Sequence, residues 1–296
     1  MEGLISNYKL SKIEHERIYE IIKKMVFSNV YSVEKPTAVI VGGQPGSGKG
    51  SLIGYSKSQF NDNNIVIITT DDYKPFHPKA SEIAKKYPTK YAAIVEADSA
   101  SWTNEILLEA IKNKYNFIFE VTLRNERILR KMELLKKSNY NVIVRALATP
   151  YLESLVTSYE RYEKQVETRK WGRFINVKSY NNTYKNIPDT LEKIENSGYC
   201  DATEIYLRGK DIKRPELIYG SYTDQYKKDI QLENRKFKYS SAKEAIISGR
   251  NLKIDILEIQ SRVKQIRENF DRRKVTEDER EKLQELENIV NNYKKN

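Results

Sequence analysis

The residue types best suited to binding phosphate lie together in Gly43 to Ser51, which reads GQPGSGKGS. An apolar run precedes this stretch and another follows it, so the pattern predicts a strand, a tight loop and the start of a helix. Backbone N–H groups of such a loop, the helix N-terminus and the lysine together bind the phosphates of a nucleotide. The residues expected to hold phosphate are Gly43, Gln44, Pro45, Gly46, Ser47, Gly48, Lys49, Gly50 and Ser51.

The position after Lys49 departs from the usual pattern of such loops. A Ser or Thr hydroxyl normally follows the lysine and binds Mg²⁺, whereas this chain has Gly50 there and Ser51 one place later. Ser51 is therefore the candidate to replace the missing magnesium ligand.

Acidic residues follow two other apolar segments, each of which is typical of a buried parallel strand. Asp71 and Asp72 follow the run that ends at Ile68, and Glu120 follows Phe117 to Phe119. Ligands bind at the carboxyl ends of the strands in parallel sheets, so these carboxylates are expected near the phosphate loop. Asp71 could take a proton from an acceptor hydroxyl or bind Mg²⁺ through water, Asp72 competes for that role, and Glu120 could hold the metal.

Arginines further along the chain could bind the transferred phosphoryl group, because a guanidinium binds two oxygens at once. Arg161 lies in SYERYE, Arg169 and Arg173 lie in ETRKWGR, and Arg124 lies in EVTLRN. Spacing alone fits charges on the surface of a helix equally well. His77, one of only two histidines, favours a loop or substrate contact over a histidine-based metal site.

The elements that must position these residues suggest an α/β architecture, a parallel sheet of the P-loop NTPase or kinase type flanked by helices. Strands are expected at about residues 37–42, 65–68, 117–119, 142–148 and 203–207. The expected divisions are an N-terminal helix over 1–35 that packs on the core, a kinase-like core over 36–210, and a charged, mainly helical extension over 211–296. A capping box at Ser11 and Glu14 opens the first helix, whose expected apolar stripe is Ile18, Ile21, Ile22, Met25 and Val26.

The extension ends in two segments with helical periodicity. A heptad pattern begins at Leu252, and a capping box at Thr276 and Glu279 opens the final segment. Together they predict an antiparallel helical hairpin, which could pack on its own chain or pair with another.

Composition leaves several classes of protein open and excludes others. The 296 residues carry a net charge of +11, which suits an anionic ligand or partner and equally a solvated lysine-rich surface. The single cysteine, Cys200, excludes an intramolecular disulfide and a thiolate metal cluster. No signal-peptide pattern or membrane-spanning run is found, so we expect a soluble, cytoplasmic protein without a membrane partner.

Five segments follow one another along the chain: PTAVIVGGQPGSGKGSL, DDYKPFHP, FIFEVTLRN, SYERYE and KNIPDTLEKIENSG. In this order they resemble the bacterial zeta toxins, the toxin half of epsilon–zeta toxin–antitoxin systems, and the resemblance covers roughly residues 30–210. It implies a P-loop kinase fold with ATP and Mg²⁺, and transfer of the ATP γ-phosphoryl to the 3′-hydroxyl of the amino sugar in UDP-N-acetylglucosamine. It also implies a separate, small helical antitoxin that blocks the nucleotide site.

Carried over residue by residue, the resemblance implies that Asp71 is the catalytic base and Lys49 the P-loop lysine. Arg161 matches the first phosphate-clamping arginine and Arg173 the second, with Arg169 as a competitor because the intervening loop is one residue shorter. The substrate side takes in the residues His77, Asn104, Glu105, Glu120, Thr122 and Arg124.

One departure leaves the acceptor open, because the substrate-contacting glutamate of the family falls on Asn104, with Glu105 adjacent. Gly50 is less disruptive, since adenylate kinases also have glycine and then a hydroxyl residue after the lysine. A kinase of the same fold that acts on another metabolite, such as a nicotinamide dinucleotide, is the first alternative. A basic, nucleotide-gated module that binds nucleic acid or protein is the alternative of another class, although a nucleic-acid partner is the weaker expectation.

Overall fold

The fold is organised around a sheet of six strands in the part of the chain that the computed structural model describes, residues 1–169, 171–208, 215–229 and 236–293. In chain order the strands are β1 (Thr37–Gly42), β2 (Val66–Ile68), β3 (Phe117–Val121), β4 (Asn141–Leu147), β5 (Ala202–Leu207) and β6 (Glu216–Tyr222). Their order across the sheet is β2-β3-β1-β4-β5-β6. The first five pair in parallel and β6 runs antiparallel to β5, which confirms the predicted α/β class.

Helices flank the sheet and form the N- and C-terminal parts of the described chain. They are α1 (Glu2–Tyr8), α2 (Lys12–Val26), α3 (Lys49–Lys57), α4 (Thr70–Tyr73), α5 (Ala80–Lys86), α6 (Tyr91–Ile94), α7 (Glu96–Lys112), α8 (Ile128–Lys137), α9 (Tyr151–Arg169), α10 (Val177–Glu195), α11 (Asp224–Asp229), α12 (Ala242–Arg250), α13 (Ile256–Arg272) and α14 (Glu277–Tyr293). None of these is long and apolar enough to cross a membrane.

The central strand β1 is buried on both faces, as its uninterrupted apolar sequence predicts. Ala38 and Ile40 belong to the large cluster on one side, which includes side chains of α2, α7, α10 and α12. Val39 and Val41 belong to the cluster on the other side, together with Leu52 of α3. Because side chains alternate along a strand, a run without polar residues requires such a cover on each face.

The sixth strand was not anticipated. Glu216–Tyr222 lies beyond residue 210, where the core was expected to end, yet it pairs with β5 along the edge of the sheet. Its sequence ELIYGSY is half exposed and interrupted by Gly220, so it lacks the continuous apolar character that marks the central strands.

The N-terminal region differs from the expected single helix with one apolar stripe. Ser11 caps α2 with its side chain, and the chain breaks before it, so α1 is separate. The prediction that Ile21 and Met25 are packed is wrong, since they are 52% and 53% exposed. The packed face follows the helical spacing of Ile18, Ile22 and Val26 instead.

The C-terminal helices form an antiparallel hairpin with its own apolar cluster. Side chains of α13 and α14, such as Phe270 and Leu286, pack with α9 and with the segment around Phe174. Leu252 lies before α13 and is 51% exposed, so the packed pattern begins later than the sequence suggested. The hairpin thus packs on the helix that carries Arg161.

Candidate active site

A cavity of about 500 Å³ opens at the carboxyl ends of β1, β2 and β3. Lys49, Asp71, Glu120, Arg161 and Arg173 all line it, although they come from different parts of the chain. The other lining residues are Pro45, Thr69, Thr70, Lys74, Thr89, Ala92, Ala93, Glu96, Phe119, Val121, Thr122, Arg124, Phe174, Ile175, Asn176, Ser179, Tyr180 and Thr183. Convergence of distant charged groups on one cavity is what an active site requires.

The phosphate loop runs from the end of β1 to Gly48, the N-cap of α3. Gly46 has a φ of +75°, and a Cβ there would lie 1.9 Å from the Ser154 carbonyl oxygen, so only glycine fits. The Ser47 hydroxyl is buried and has no hydrogen-bond partner among the described residues. A tight backbone turn, a helix N-terminus and an unpartnered buried donor fit the phosphates of a nucleoside triphosphate.

Lys49 lies folded across this loop. Its Nζ donates to the carbonyl oxygens of Gly43 and Gln44 at 3.0 and 3.1 Å, and lies 3.5 Å from Oε1 of Glu120. The residue is 8% exposed, and this burial lowers the pKa of Lys49 to about 8. Apart from Glu120, the contacts of this lysine are to backbone carbonyl oxygens, which a nucleotide phosphate could replace.

Asp71 stands in the first turn of α4, just beyond β2, and is held by two cations. It forms an ion pair with Arg173, and Nζ of Lys74 lies 3.2 Å from its Oδ1. Lys74 is buried and also donates to Glu96 at 2.6 Å. Asp72, the competitor from the sequence, is exposed and does not line the cavity, so the geometry favours Asp71.

The two arginines expected to bind the phosphoryl group, Arg161 and Arg173, both line the cavity. Arg161 projects from α9, and its Nε is buried without a hydrogen-bond partner in the described structure. Burial lowers the pKa of both Arg161 and Arg173 from the ordinary arginine value. Arg169 is exposed and lies outside the cavity lining, which leaves Arg173 as the second arginine at the site.

Three residues expected on the substrate side are not brought to the cavity. His77 is 2% exposed, and its Nε2 lies 2.9 Å from the Tyr8 carbonyl oxygen. Glu105 lies 2.8 Å from Nε2 of His15, where it joins α7 to α2. Asn104 accepts a hydrogen bond from Lys131 at 2.7 Å. The contact of His77 with α1 and the contact of Glu105 with α2 account for them as structural residues.

Thr122 and Arg124 do line the cavity, and so does Glu120, whereas Ser51 does not. The Ser51 hydroxyl donates to the Gly48 carbonyl oxygen at 2.7 Å, which leaves its oxygen lone pairs for a cation. No cluster of three or more His, Cys, Asp or Glu side chains able to hold a metal occurs in the described ranges. A magnesium ion bound by one or two protein groups and substrate phosphates needs no such cluster.

Sequence reasoning missed Lys74, Glu96 and Thr89, all of which line the cavity. The only signal for Lys74 was its position three residues after Asp71, which places both side chains on one helical face. Glu96 and Thr89 lie in the segment between β2 and β3, where no spacing links them to the loop.

The arrangement can hold a phosphate chain, surround a phosphoryl group with cations and offer a carboxylate to an acceptor hydroxyl. Lys49, Arg161 and Arg173 supply the positive charge, and Asp71 supplies the carboxylate. These are the parts that phosphoryl transfer needs, since that reaction depends on position and electrostatics more than on covalent steps.

Comparison with known proteins matches the chain to a family of toxins. The family model of the zeta toxins matches residues 23–221. Toxin zeta of Streptococcus agalactiae is 29% identical over 195 residues, which are 65% of this chain and 67% of that protein. Toxin zeta of Enterococcus hirae is 29% identical over 60% of this chain and 62% of its own length, so the chain spans somewhat less than two thirds of that relative.

Solved structures agree with this result at the level of the fold. A structure of the PezAT chromosomal toxin–antitoxin system of Streptococcus pneumoniae has a TM-score of 0.68 with 19% identity, covering 90% of this chain and 98% of that one. AvrRxo1-ORF1:-ORF2 with ATP has a TM-score of 0.51 with 13% identity, covering 75% and 74%. The family match spans more than half of the chain and includes the phosphate loop, Asp71, Glu120, Arg161 and Arg173. The chain therefore belongs to the zeta toxin family.

Proposed function

We propose that this protein is an ATP-dependent kinase that phosphorylates a hydroxyl of a small molecule and thereby acts as a toxin. One observation carries the proposal: Lys49, Arg161, Arg173 and Asp71 converge on a single cavity beside the phosphate loop. Its placement at the strand ends is the expected position for ligands of a parallel sheet.

In the proposed reaction, the loop and Lys49 hold the triphosphate, while Arg161 and Arg173 neutralise charge on the γ-phosphoryl oxygens. Asp71 accepts the proton of the acceptor hydroxyl as its oxygen bonds to the γ-phosphorus, and the bond from that phosphorus to the β-bridging oxygen breaks to release ADP. Arg173 would exchange its contact with Asp71 for phosphate, which frees the carboxylate to act as base.

Magnesium would be held by Ser51 and Glu120 and would supply further neutralisation of phosphate charge. The Ser51 hydroxyl lies at the start of α3 and Glu120 lies at the end of β3, 3.5 Å from Lys49. Both are single oxygen donors of the hard type that this cation prefers.

UDP-N-acetylglucosamine is the proposed acceptor, through the 3′-hydroxyl of its amino sugar. Support comes from the family and from a cavity lining in which Lys49, Lys74, Arg124, Arg161 and Arg173 outnumber three carboxylates, which suits an anionic acceptor. Asn104 favours the alternative of a different acceptor, such as a nicotinamide dinucleotide. It stands where the family has a substrate-binding glutamate and is instead held by Lys131 outside the cavity.

A small helical antitoxin is the proposed protein partner, and the cytoplasm the proposed location. The structure from the PezAT toxin–antitoxin system and the relatives called Toxin zeta support the proposed antitoxin. The only support for a nucleic-acid-binding role is the net charge of +11. A steep salt dependence of DNA or RNA binding would favour that role.

The decisive experiment is incubation with ATP, Mg²⁺ and a panel of sugar nucleotides and dinucleotides, read by mass spectrometry for one added phosphoryl group. We expect one acceptor to gain it. Asp71→Asn should abolish transfer and spare ATP binding, because the amide cannot accept the proton but fills the same space. Asp72→Asn is the matched control and should keep wild-type transfer. No modified acceptor, or equal activity of the two variants, would refute the proposal or the assignment of the base.

A further inference from the structure

Arg250, the last residue of α12, reaches the phosphate loop from the buried side. Its Nη2 donates to Oε1 of Gln44 at 3.0 Å. Gln44 is fully buried, and its Nε2 donates to the Thr149 carbonyl oxygen and to Oγ of Ser154. The amide oxygen and nitrogen of Gln44 therefore both form hydrogen bonds. Arg250 provides the bond to the oxygen, from a helix that follows the parallel strands in the chain.

The path of α12 makes this contact possible. Gly249 packs so closely against the end of the sheet that a Cβ there would lie 2.6 Å from Cβ of Ala148 and 2.8 Å from Leu207. Ala242, Ala245 and Ile246 bury the preceding turns in the large core cluster. The end of the helix is thus fixed on the strand ends next to the loop.

The guanidinium of Arg250 carries an uncompensated positive charge. The residue is 6% exposed, its Nη1 donates to the Tyr184 carbonyl oxygen at 2.7 Å, and it stacks 4.0 Å from the centre of the Tyr184 ring. No carboxylate of the described chain pairs with it, and its Nε is buried without a partner. Burial lowers the pKa of Arg250 to about 10, so the charge persists at neutral pH at an energetic cost.

A buried cation without a counter-ion is expected where an anion binds. The same Gln44 whose side chain Arg250 holds offers its backbone carbonyl to Lys49, so two buried cations donate to this one residue of the loop. We propose that Arg250 is a positioning residue of the phosphate loop, which holds the Gln44 side chain and keeps a buried positive charge that bound phosphate complements. This inference shares one assumption with the proposed function, namely that the loop binds phosphate.

The test compares Arg250→Met, Arg250→Lys and the control Lys243→Ala in the full chain. Lys243 lies on the same helix and, like Arg250, joins α12 to α10, through Asp189 and Glu192, but it does not contact the loop. Two quantities are measured: amide hydrogen exchange over residues 43–49 without nucleotide, and the Kd of ATP and of inorganic triphosphate by calorimetry.

Arg250→Met should speed exchange in the loop and raise both Kd values at least about tenfold, the scale of a lost charged hydrogen bond. Arg250→Lys should also speed exchange, because lysine cannot hold Gln44 and Tyr184 together, yet recover part of the triphosphate affinity because the charge returns. Lys243→Ala should match the wild type in both measurements.

Reduced thermal stability of Arg250→Met with wild-type exchange and Kd values would overturn the inference, since the guanidinium would then act only in packing. If Arg250→Met does not fold, wild-type loop exchange in Arg250→Lys overturns it equally. None of these readouts needs phosphoryl transfer. A wild-type protein that binds triphosphate and modifies no acceptor would refute the kinase proposal and leave this one standing.

Discussion

At the scale of single residues, the acidic and basic groups of the site form ion pairs with one another in the structure. Asp71 pairs with Arg173 and Lys74, and Lys49 approaches Glu120. The carboxylate oxygens of Asp71 are therefore occupied by these two cations and are not free to contact an acceptor hydroxyl. Phosphate entering the loop would draw the cations away, so nucleotide binding would prepare Asp71 for its proposed role.

Lys49 gives the clearest pH dependence. Burial lowers its pKa from 10.5 to about 8, so above about pH 8 the empty site holds a neutral lysine that must take up a proton to pair with phosphate. ATP should therefore bind with proton uptake, and its affinity should weaken by up to about tenfold per pH unit above the lowered pKa. Calorimetry in buffers of different ionisation enthalpy measures both quantities.

The pH dependence of folding stability should have the opposite sign to that of ATP affinity. Between the folded and ordinary pKa values of Lys49 the unfolded state binds more protons, so this lysine makes the folded protein more stable as pH rises through that window. Lys49→Arg keeps its charge and is the control, without proton uptake at this position. Proton uptake of the same size in Lys49→Arg would contradict the assignment to Lys49.

Residue types and local spacing identified the phosphate loop and made Asp71 and Glu120 candidates. They fitted Arg161 and Arg173 equally well as surface charges, and only the resemblance to the zeta toxins gave those two arginines a role. They could not exclude His77 and Glu105, because a polar side chain that holds a neighbouring helix has the same local pattern as one that contacts substrate. They also could not find Arg250, which meets Gln44 across a separation of 206 residues. Contacts of this kind depend on how whole elements pack, which one sequence does not encode locally.

At the scale of elements, the turn at Gly46 sets the course of the phosphate loop against α9. We expect Gly46→Ala to lower the free energy of unfolding by about 1–3 kcal/mol, because alanine would need a left-handed φ and would press on the Ser154 carbonyl. ATP affinity should fall as well, since the loop must move to relieve the contact. Denaturant unfolding and calorimetry give the two numbers.

Gly54→Ala is the matched control within the following helix. A Cβ at Gly54 meets nothing within 4 Å, and alanine favours helix, so stability should rise by about 0.5–1 kcal/mol. Equal stability of Gly46→Ala and the wild type would show that the loop can accommodate a side chain at position 46, which would contradict the prediction.

The strands themselves were well predicted wherever burial on both faces left a continuous apolar run. β1, β3 and β4 were placed within about two residues, because parallel strands between two layers of helices have few polar positions. β6 escaped prediction because an edge strand keeps one side in water and mixes polar with apolar residues. The α1–α2 break was missed although the capping box at Ser11 marked where α2 begins.

At the scale of the whole molecule, the C-terminal hairpin and the sheet meet through α9. One face of α9 packs with α13 and α14, and Tyr162 donates to Glu279 at 2.7 Å, while Arg161 on the same helix lines the cavity. The last third of the chain is therefore attached to the site through α9, through Arg250 of α12, and through Asp278 of α14, which accepts a hydrogen bond from Thr89 of the cavity lining. A substitution that disrupts packing in the hairpin should therefore lower the free energy of unfolding of the whole molecule.

Leu286→Ala tests this coupling. Leu286 is fully buried between α14 and α9, so the cavity left by alanine should lower the free energy of unfolding by about 2–5 kcal/mol. Leu257→Ala makes the same change at a side chain that is 71% exposed on α13, and should cost less than about 0.5 kcal/mol. If the hairpin and sheet unfold together, circular dichroism and the fluorescence of Trp102, measured in a Trp171→Phe background, should report one transition that shifts as a whole. Trp102 is buried in the core beside α2. An early loss of helix in Leu286→Ala, with the Trp102 signal unchanged, would show instead that the hairpin unfolds alone and that α9 holds Arg161 without its help.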